Sequence, residues 1–171
     1  MSRLIRTQVC GLIVILTVSV SLFIPPLQAG MQLDIVGKFQ DADLELDVAT
    51  VFDPEVEASR SKVALLGIVT PSRQGIATPL RNSFSFRLEE WLSLIALWMK
   101  AVNAQSDSWK VVGSMAEMET SDVSHLTVSA GPGVKFVISS PRKGTVTYVL
   151  PKDDMAGFEK ALYQVKNFLS R

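Results

Sequence analysis

The stretch SFSFRLEEWLSLIALWMKAVNA, residues 83–104, passes from a strand pattern directly into a helix pattern. Phe84 and Phe86 alternate with serines, which predicts a strand with one buried face. From Glu89 to Ala104 there is no proline or glycine, and the acids at its start suit a helix amino terminus. The stretch therefore predicts a strand that leads into a helix with almost no loop between them.

Similar strand patterns occur on both sides of this stretch. Leu44, Leu46, Val48 and Phe52 share one face of a predicted strand. Further strands are predicted at 63–69, 84–88, 109–115, 126–130, 134–139 and 145–150. A second helix is predicted after Pro151, because apolar residues then recur at intervals of three and four.

The two halves of the chain carry similar landmarks in the same order. Ile35-Val36-Gly37 corresponds to Val111-Val112-Gly113, and Leu46-Asp47-Val48-Ala49 corresponds to Leu126-Thr127-Val128-Ser129. Further along, Arg73-Gln74-Gly75 corresponds to Arg142-Lys143-Gly144. The last pair matches Phe84, Phe86 and Leu88 with Val146, Tyr148 and Leu150. A repeated unit that cannot cover its own apolar surfaces packs against its neighbour. The sequence therefore predicts an α+β domain over residues 30–171, with antiparallel sheets and two helices. Two tandem ββββα units, 31–105 and 108–171, would pack with pseudo-symmetry.

The amino terminus has the pattern of a signal peptide over residues 1–29. Arg3 and Arg6 precede an apolar run from Val9 to Ile24, and Pro25-Pro26 follows it. The small Ala29 is the predicted cleavage residue. The chain is therefore expected to be exported to a periplasmic or extracellular space. The alternative is an uncleaved leader, which would be its only link to a membrane.

Charge and composition narrow the chemistry of the exported part. Removal of Arg3 and Arg6 leaves 17 − 2 = 15 basic against 17 acidic residues, a net charge of −2. Cys10 would leave with the leader, and His125 is the only histidine, so thiolate or multi-histidine metal sites are excluded. No nucleophile motif is present either. We therefore expect no cofactor and no enzyme activity.

The first predicted helix is apolar around nearly its whole circumference. We expect it to be buried on several sides, at the core of a pseudo-dimer or of a true homodimer. The alternative is an exposed apolar strip that recruits a partner or a membrane. The apolar residues are Trp91, Leu92, Leu94, Ile95, Leu97, Trp98, Met99 and Val102.

Two loop-like segments resemble ligand sites only in part. Seven acids lie between Asp41 and Glu57, but the spacing of a calcium loop is absent, so we predict a solvated strand edge that resists strand addition. Residues 130–133, Ala-Gly-Pro-Gly, lack the Lys-Ser/Thr of a phosphate loop and lead into a strand, which predicts a hairpin turn.

Basic residues occur in two turns that the repeat makes equivalent. Arg73 lies in the first turn, and Arg142 and Lys143 lie in the second. Polar turns are expected to carry solvated cations. The alternative is a pair of contacts for a small anionic ligand, related by the internal symmetry.

The motif Ser85-Phe86-Arg87-Leu88-Glu89-Glu90-Trp91 resembles the end of the single-stranded DNA-binding unit of the positive-cofactor transcriptional coactivators. The doubled ββββα layout is similar to that of Whirly and Pur-alpha-like proteins and would cover the whole mature chain. The resemblance implies bases on a sheet face and phosphates on basic residues, which here are Arg73, Arg142 and Lys143. Net charge and export both disfavour nucleic acid as the partner.

Together these patterns predict an exported, non-enzymatic binding or envelope-associated accessory protein whose partner is an unknown protein or a small anion. One alternative is a single-stranded nucleic-acid-binding protein that uses the sheet face. Another is a hydrolase with dispersed carboxylates.

Overall fold

The computed structural model describes residues 31–41, 43–53, 62–69, 81–119 and 122–171. It contains two antiparallel four-stranded sheets and two α-helices, so the α+β class and the order ββββα-ββββα are confirmed. Sheet A consists of β1 (Gln32–Asp41), β2 (Leu44–Phe52), β3 (Val63–Val69) and β4 (Arg81–Phe86), and is followed by α1 (Leu88–Asn103). Sheet B consists of β5 (Lys110–Glu119), β6 (Asp122–Ala130), β7 (Val134–Ser140) and β8 (Gly144–Leu150), and is followed by α2 (Met155–Leu169). The predicted leader, including Ala29, lies outside the described residues.

Both sheets have the same strand order and the same register. Their strands follow one another in sequence order, so β1 and β4 are the outermost strands of sheet A. The first strand of each sheet has a bulge at the same place, between Ile35 and Gly37 in β1 and between Val111 and Gly113 in β5. Gly37 then pairs with Val48, as Gly113 pairs with Val128. The first two pairs of sequence landmarks are therefore confirmed.

The last pair of landmarks was wrong by two residues. Phe84 pairs with Leu66, and Tyr148 pairs with Phe136, which occupies the position of Leu66 in sheet B. Phe84 therefore corresponds to Tyr148, and Phe86 corresponds to Leu150. The sequence comparison slipped because alternation has a period of two, so a shift of two residues keeps every side chain on the same face.

The helices are exchanged between the two halves. α2 packs mainly on β1 and β2, whereas α1 packs mainly on β5 and β6 and also touches β3 and β4. Each contact passes over the glycine of a bulge. A Cβ atom on Gly37 would lie 3.0 Å from the Cβ of Ala161, and one on Gly113 would lie 2.4 Å from a methyl group of Leu97. The missing side chains thus allow each helix to approach the sheet of the other unit.

One continuous apolar core joins the two sheets and the two helices. Trp91 is fully buried, and its indole Nε1 donates a hydrogen bond to the Leu162 carbonyl of α2 at 2.9 Å. The Phe158 ring lies 4.8 Å from that of Trp98 and 5.2 Å from that of Phe136. Burial of apolar surface dominates folding, so this core, including its aromatic rings, stabilises the fold.

Local signals account for the ends of the elements. The Arg87 backbone N–H donates to the Glu90 carboxylate at 2.8 Å, which satisfies one free donor at the start of α1. The turn between β6 and β7 is closed by a bond from the Gly131 N–H to the Gly133 carbonyl at 3.0 Å. A Cβ on Gly133 would lie 2.4 Å from the Leu150 carbonyl oxygen, so this position requires glycine. The predicted hairpin turn is confirmed.

The prediction of a solvated edge over the acidic run was wrong for Glu45 and Asp47, whereas Asp41, at the end of the outermost strand β1, and Asp43 are exposed. β2 lies between β1 and β3, so it is an inner strand. Asp47 is only 6% exposed, and Glu45 forms an ion pair of 2.6 Å with Lys38 of β1. The acids at 55 and 57 lie outside the described residues.

The prediction that α1 is buried on several sides was also wrong in part. Trp91, Leu94 and Trp98 are fully buried, but Leu92 and Met99 are 41% and 39% exposed. The helix therefore has one face in the core and a second apolar face in solvent. Neither helix in the described part of the chain is both long and apolar enough to cross a membrane.

Candidate functional site

The outer face of sheet A, the face turned away from the helices, carries an apolar area that we call the sheet A patch. Side chains alternate between the two faces of each strand, so the register identifies the members of the patch. Two rows cross three neighbouring strands. They consist of Leu33, Val51 and Val63 in one row and of Ile35, Ala49 and Leu65 in the other.

No helix or strand of the described residues covers the sheet A patch. Ala49 and Val51 are only 5% and 6% exposed, but Ile35 is 38% exposed. Leu33, Val63 and Leu65 are half-buried. The other half of the same face is polar, with Lys38, Glu45 and Asp47. An apolar area bordered by charged residues is typical of a surface that binds another molecule.

A cleft of about 520 Å³ adjoins the patch where β4 meets β5. We call it the seam cleft. Val63 belongs to both, and Ser85 pairs with Leu65 in the sheet, so the two surfaces are continuous. The lining residues are Val63, Ser85, Phe86, Arg87, Glu90, Ala116 and Glu117.

A carboxylate from sheet B binds the edge of sheet A inside the cleft. The backbone N–H of Ser85 donates to Oε2 of Glu117 at 2.9 Å, and the Ser85 hydroxyl donates to Oε1 of the same carboxylate. β4 is an edge strand, and unpaired N–H groups at an edge attract other strands. Glu117 therefore joins the two sheets and caps one such group. Arg87 is exposed at the rim, where it offers a positive charge.

Among the described residues, the pair of Ser85 and Glu117 at the seam cleft has no chemical equivalent at the corresponding positions of the other half. By register, Glu117 corresponds to Asp41, since Glu117 pairs with Ser124 and Asp41 with Leu44, each four residues beyond its bulge glycine. Ser85 corresponds in the same way to Val149, which has no hydroxyl group. The pair of Ser85 and Glu117 therefore distinguishes one junction between the sheets from the other.

Two of the predicted anion contacts, Arg142 and Lys143, lie away from this cleft. Arg142 and Lys143 are exposed in the turn between β7 and β8. The side chain of Asn82 in β4 donates to the Gly144 carbonyl at 3.0 Å, so the turn lies beside the start of β4. Arg73 belongs to the connection between β3 and β4 and lies outside the described residues. A shared anion site of the two turns therefore stays a prediction.

The outer face of sheet B differs from that of sheet A. Its middle mixes hydroxyl and apolar groups, since Thr127 and Thr147 lie on either side of Val137 and Ser139 lies in the next row. Val111 and Val149 on the same face are 70% and 37% exposed. Trp109 lies at its border and is 39% exposed, but the Lys135 ammonium lies 4.6 Å from the centre of the ring. A Cβ on Gly131 would lie 2.5 Å from the same ring, so the ring also rests on the backbone of that turn. The Trp109 ring thus packs against groups of the protein itself.

Neither the sheet A patch nor the seam cleft was predicted from the sequence. One signal for the patch was present, because residues 63–69, VALLGIV, are apolar without alternation. A continuous apolar run is typical of a strand with apolar residues on both faces. No comparable signal exists for the cleft, because Ser85 and Glu117 are 32 residues apart and belong to different sheets.

Comparison with known proteins adds no identification. No protein-family model matches the sequence, and no curated protein is significantly similar to it.

Proposed function

We propose that the protein is an exported, non-enzymatic binding or envelope-associated accessory protein that binds a partner protein through the sheet A patch. The signal-peptide pattern of residues 1–29 supports export of the chain. The observation that carries the binding proposal is an apolar area on three neighbouring strands that no described helix or strand covers, with Ile35 exposed at its border. Such an area loses contact with water when a partner covers it.

The polar surroundings of the patch support a protein as the partner. Lys38 and Glu45 border the patch on one side, and Arg87 and Glu90 lie at the seam cleft on the other. Both signs of charge therefore surround an apolar centre, which is the usual arrangement of a protein interface.

Nucleic acid is a weaker candidate for the same face. Single-stranded nucleic acid requires a basic groove and exposed aromatic rings on which bases stack. The polar half of the outer face of sheet A contains Glu45 and Asp47 beside Lys38. On sheet B, the ring of Trp109 already contacts Lys135. These contacts favour a protein partner over a nucleic acid.

Hydrolysis by dispersed carboxylates is also less favoured. Two carboxylates line the seam cleft, as general acid–base chemistry would require. However, both oxygens of Glu117 accept hydrogen bonds from Ser85, and an oxygen of Glu90 accepts one from the Arg87 backbone. These bonds give both groups structural roles at the start of α1 and between the sheets.

Site-specific photo-crosslinking in the producing cells tests the binding proposal. A photoreactive amino acid replaces Ile35 in one chain and Thr147, an exposed residue of sheet B, in the control chain. We expect a discrete adduct with a second protein from position 35 and little or none from position 147. The expected cause is close contact between the partner and the sheet A patch.

A second substitution separates contact from stability. In the chain with the photoreactive residue at 35, Leu65→Lys places a charge in the patch and should abolish the adduct. Thermal unfolding should change little, since Leu65 lies on the outer face and is only half-buried. The same adducts from both positions, or an adduct that persists in Leu65→Lys, would show that the patch is not the binding surface.

A further inference from the structure

We propose that α1 forms the contact of a homodimer, in which two copies of the chain pack their α1 helices side by side in antiparallel orientation. The proposed contact is the α1 strip, defined as Leu92, Ala96 and Met99. These residues are exposed and, at spacings of four and three, lie on one face of the helix. The strip lies in solvent beside the buried face that holds Trp91 and Trp98, about a third of a turn around the helix.

The α1 strip complements itself. Ala96 is small and lies between the two larger side chains, so a second helix can approach closely at that point. An antiparallel pair with its two-fold axis beside Ala96 places Leu92 of each copy next to Met99 of the other. A two-fold contact requires this reciprocity: if one residue of the first copy contacts a second residue of the other copy, the reverse contact also forms.

The charges along α1 favour the antiparallel direction and a second copy as the occupant. Glu89 is exposed in the first turn of the helix, and Lys100 is exposed in the last turn. In an antiparallel pair, the acidic end of each helix lies beside the basic end of the other. The helix dipoles are then also opposed, which is the favourable arrangement. A parallel pair would place like charges together.

This surface is separate from the sheet A patch, because α1 packs on sheet B and the patch lies on the outer face of sheet A. A dimer through α1 would leave both copies of the patch open. The inference therefore does not depend on the partner protein proposed above, and the two proposals can fail independently.

Disulfide trapping tests the dimer in the full chain. Cys10, the only cysteine, is replaced by serine, and Ala96→Cys is introduced beside the proposed axis. The matched control carries Thr147→Cys, which is exposed on the outer face of sheet B. We expect oxidation to convert the Ala96→Cys chain to a covalent dimer, since cysteines near a two-fold axis come within bonding distance. The control chain should form no covalent dimer.

A substitution within the strip provides the second measurement. Leu92→Glu in the Ala96→Cys chain should lower the rate of cross-linking at least about tenfold, because it places a charge in the apolar contact. Analytical ultracentrifugation should give a dimer for the unaltered chain and a monomer for Leu92→Glu, with unchanged circular dichroism. A monomer for the unaltered chain at the highest soluble concentration would overturn the proposal. Equal cross-linking of Ala96→Cys and Thr147→Cys would also overturn it.

Discussion

Replacement of Trp91 by alanine is expected to lower the free energy of unfolding by about 3–5 kcal/mol, the range typical of a buried aromatic side chain. Trp91 is fully buried, and its ring packs edge-on against Phe86 at 5.2 Å. The substitution also removes the hydrogen bond from the indole to the Leu162 carbonyl, which joins the two helices. Urea unfolding followed by circular dichroism measures the loss.

Trp91→Phe is the matched control for this experiment. It keeps a six-membered aromatic ring but removes the pyrrole part of the indole together with the hydrogen bond, so the expected loss is smaller than for alanine, on the order of 1–2 kcal/mol. Spacing along the helices places Phe158 of α2 at the position that corresponds to Trp91, so a phenyl ring fits this kind of site. A folded Trp91→Ala chain with unchanged stability would show that α1 does not hold the two halves together.

Stability at alkaline pH is expected to depend on Tyr148. Burial raises the pKa of the Tyr148 hydroxyl to about 12, with smaller contributions from the carboxylates of Asp154, Asp41 and Glu45. The side chain is 1% exposed, and its hydroxyl has no hydrogen-bond partner among the described residues. In the unfolded chain the phenol ionises near pH 10, so ionisation favours the unfolded state.

The sign of this effect follows from the raised pKa. The contribution of Tyr148 to the free energy of unfolding is fully present below pH 10 and is lost as the pH rises from 10 to 12. The loss reaches up to about 2.7 kcal/mol for a shift of two pKa units. Tyr148→Phe removes this dependence. Its free energy of unfolding, relative to that of the unaltered chain, should therefore rise by roughly 2 kcal/mol between pH 8 and pH 11.5.

At neutral pH the same substitution should cost little stability. Phe84 occupies the corresponding position in sheet A, so the fold accepts a phenyl ring there. Replacement of a buried hydroxyl that has no partner by an apolar group is close to neutral. Urea unfolding of both chains across this pH range makes the comparison. Parallel stability curves from pH 8 to pH 11.5 would contradict the proposed burial of the Tyr148 hydroxyl.

Alternation and local signals in the sequence were sufficient to predict most elements of the fold. The strand at 63–69 and the helix after residue 87 have the predicted bounds within one residue, because both patterns depend only on neighbouring residues. The register error at Phe84 arose because alternation does not distinguish a shift of two residues. The inner position of β2 could not be read from its acids, since strand order depends on pairing partners elsewhere in the chain.

The exchange of helices could not be predicted, because both helices carry a similar apolar pattern. Trp91, Leu94, Ile95 and Trp98 have the same spacing as the series that begins at Phe158. Either helix therefore fits either sheet as far as the pattern shows. The bulge glycines were visible as landmarks, but their role as points of close helix approach depends on the three-dimensional contact. The seam cleft could not be predicted either, because it also depends on a three-dimensional contact between distant residues.

Two pairs of cysteines test the exchange of helices directly. In a Cys10→Ser chain, the first pair is Gly37→Cys with Ala161→Cys, whose Cβ positions are 3.0 Å apart in the exchanged arrangement. A shift of the helix by about 0.5 Å brings them to the spacing of a disulfide, about 3.5–4.5 Å. The second pair is Gly37→Cys with Leu94→Cys, which corresponds to Ala161 in α1. Mass spectrometry after mild oxidation identifies the bond. The exchanged packing predicts a disulfide between 37 and 161 and none between 37 and 94, and the reverse result would show that each sheet is covered by its own helix.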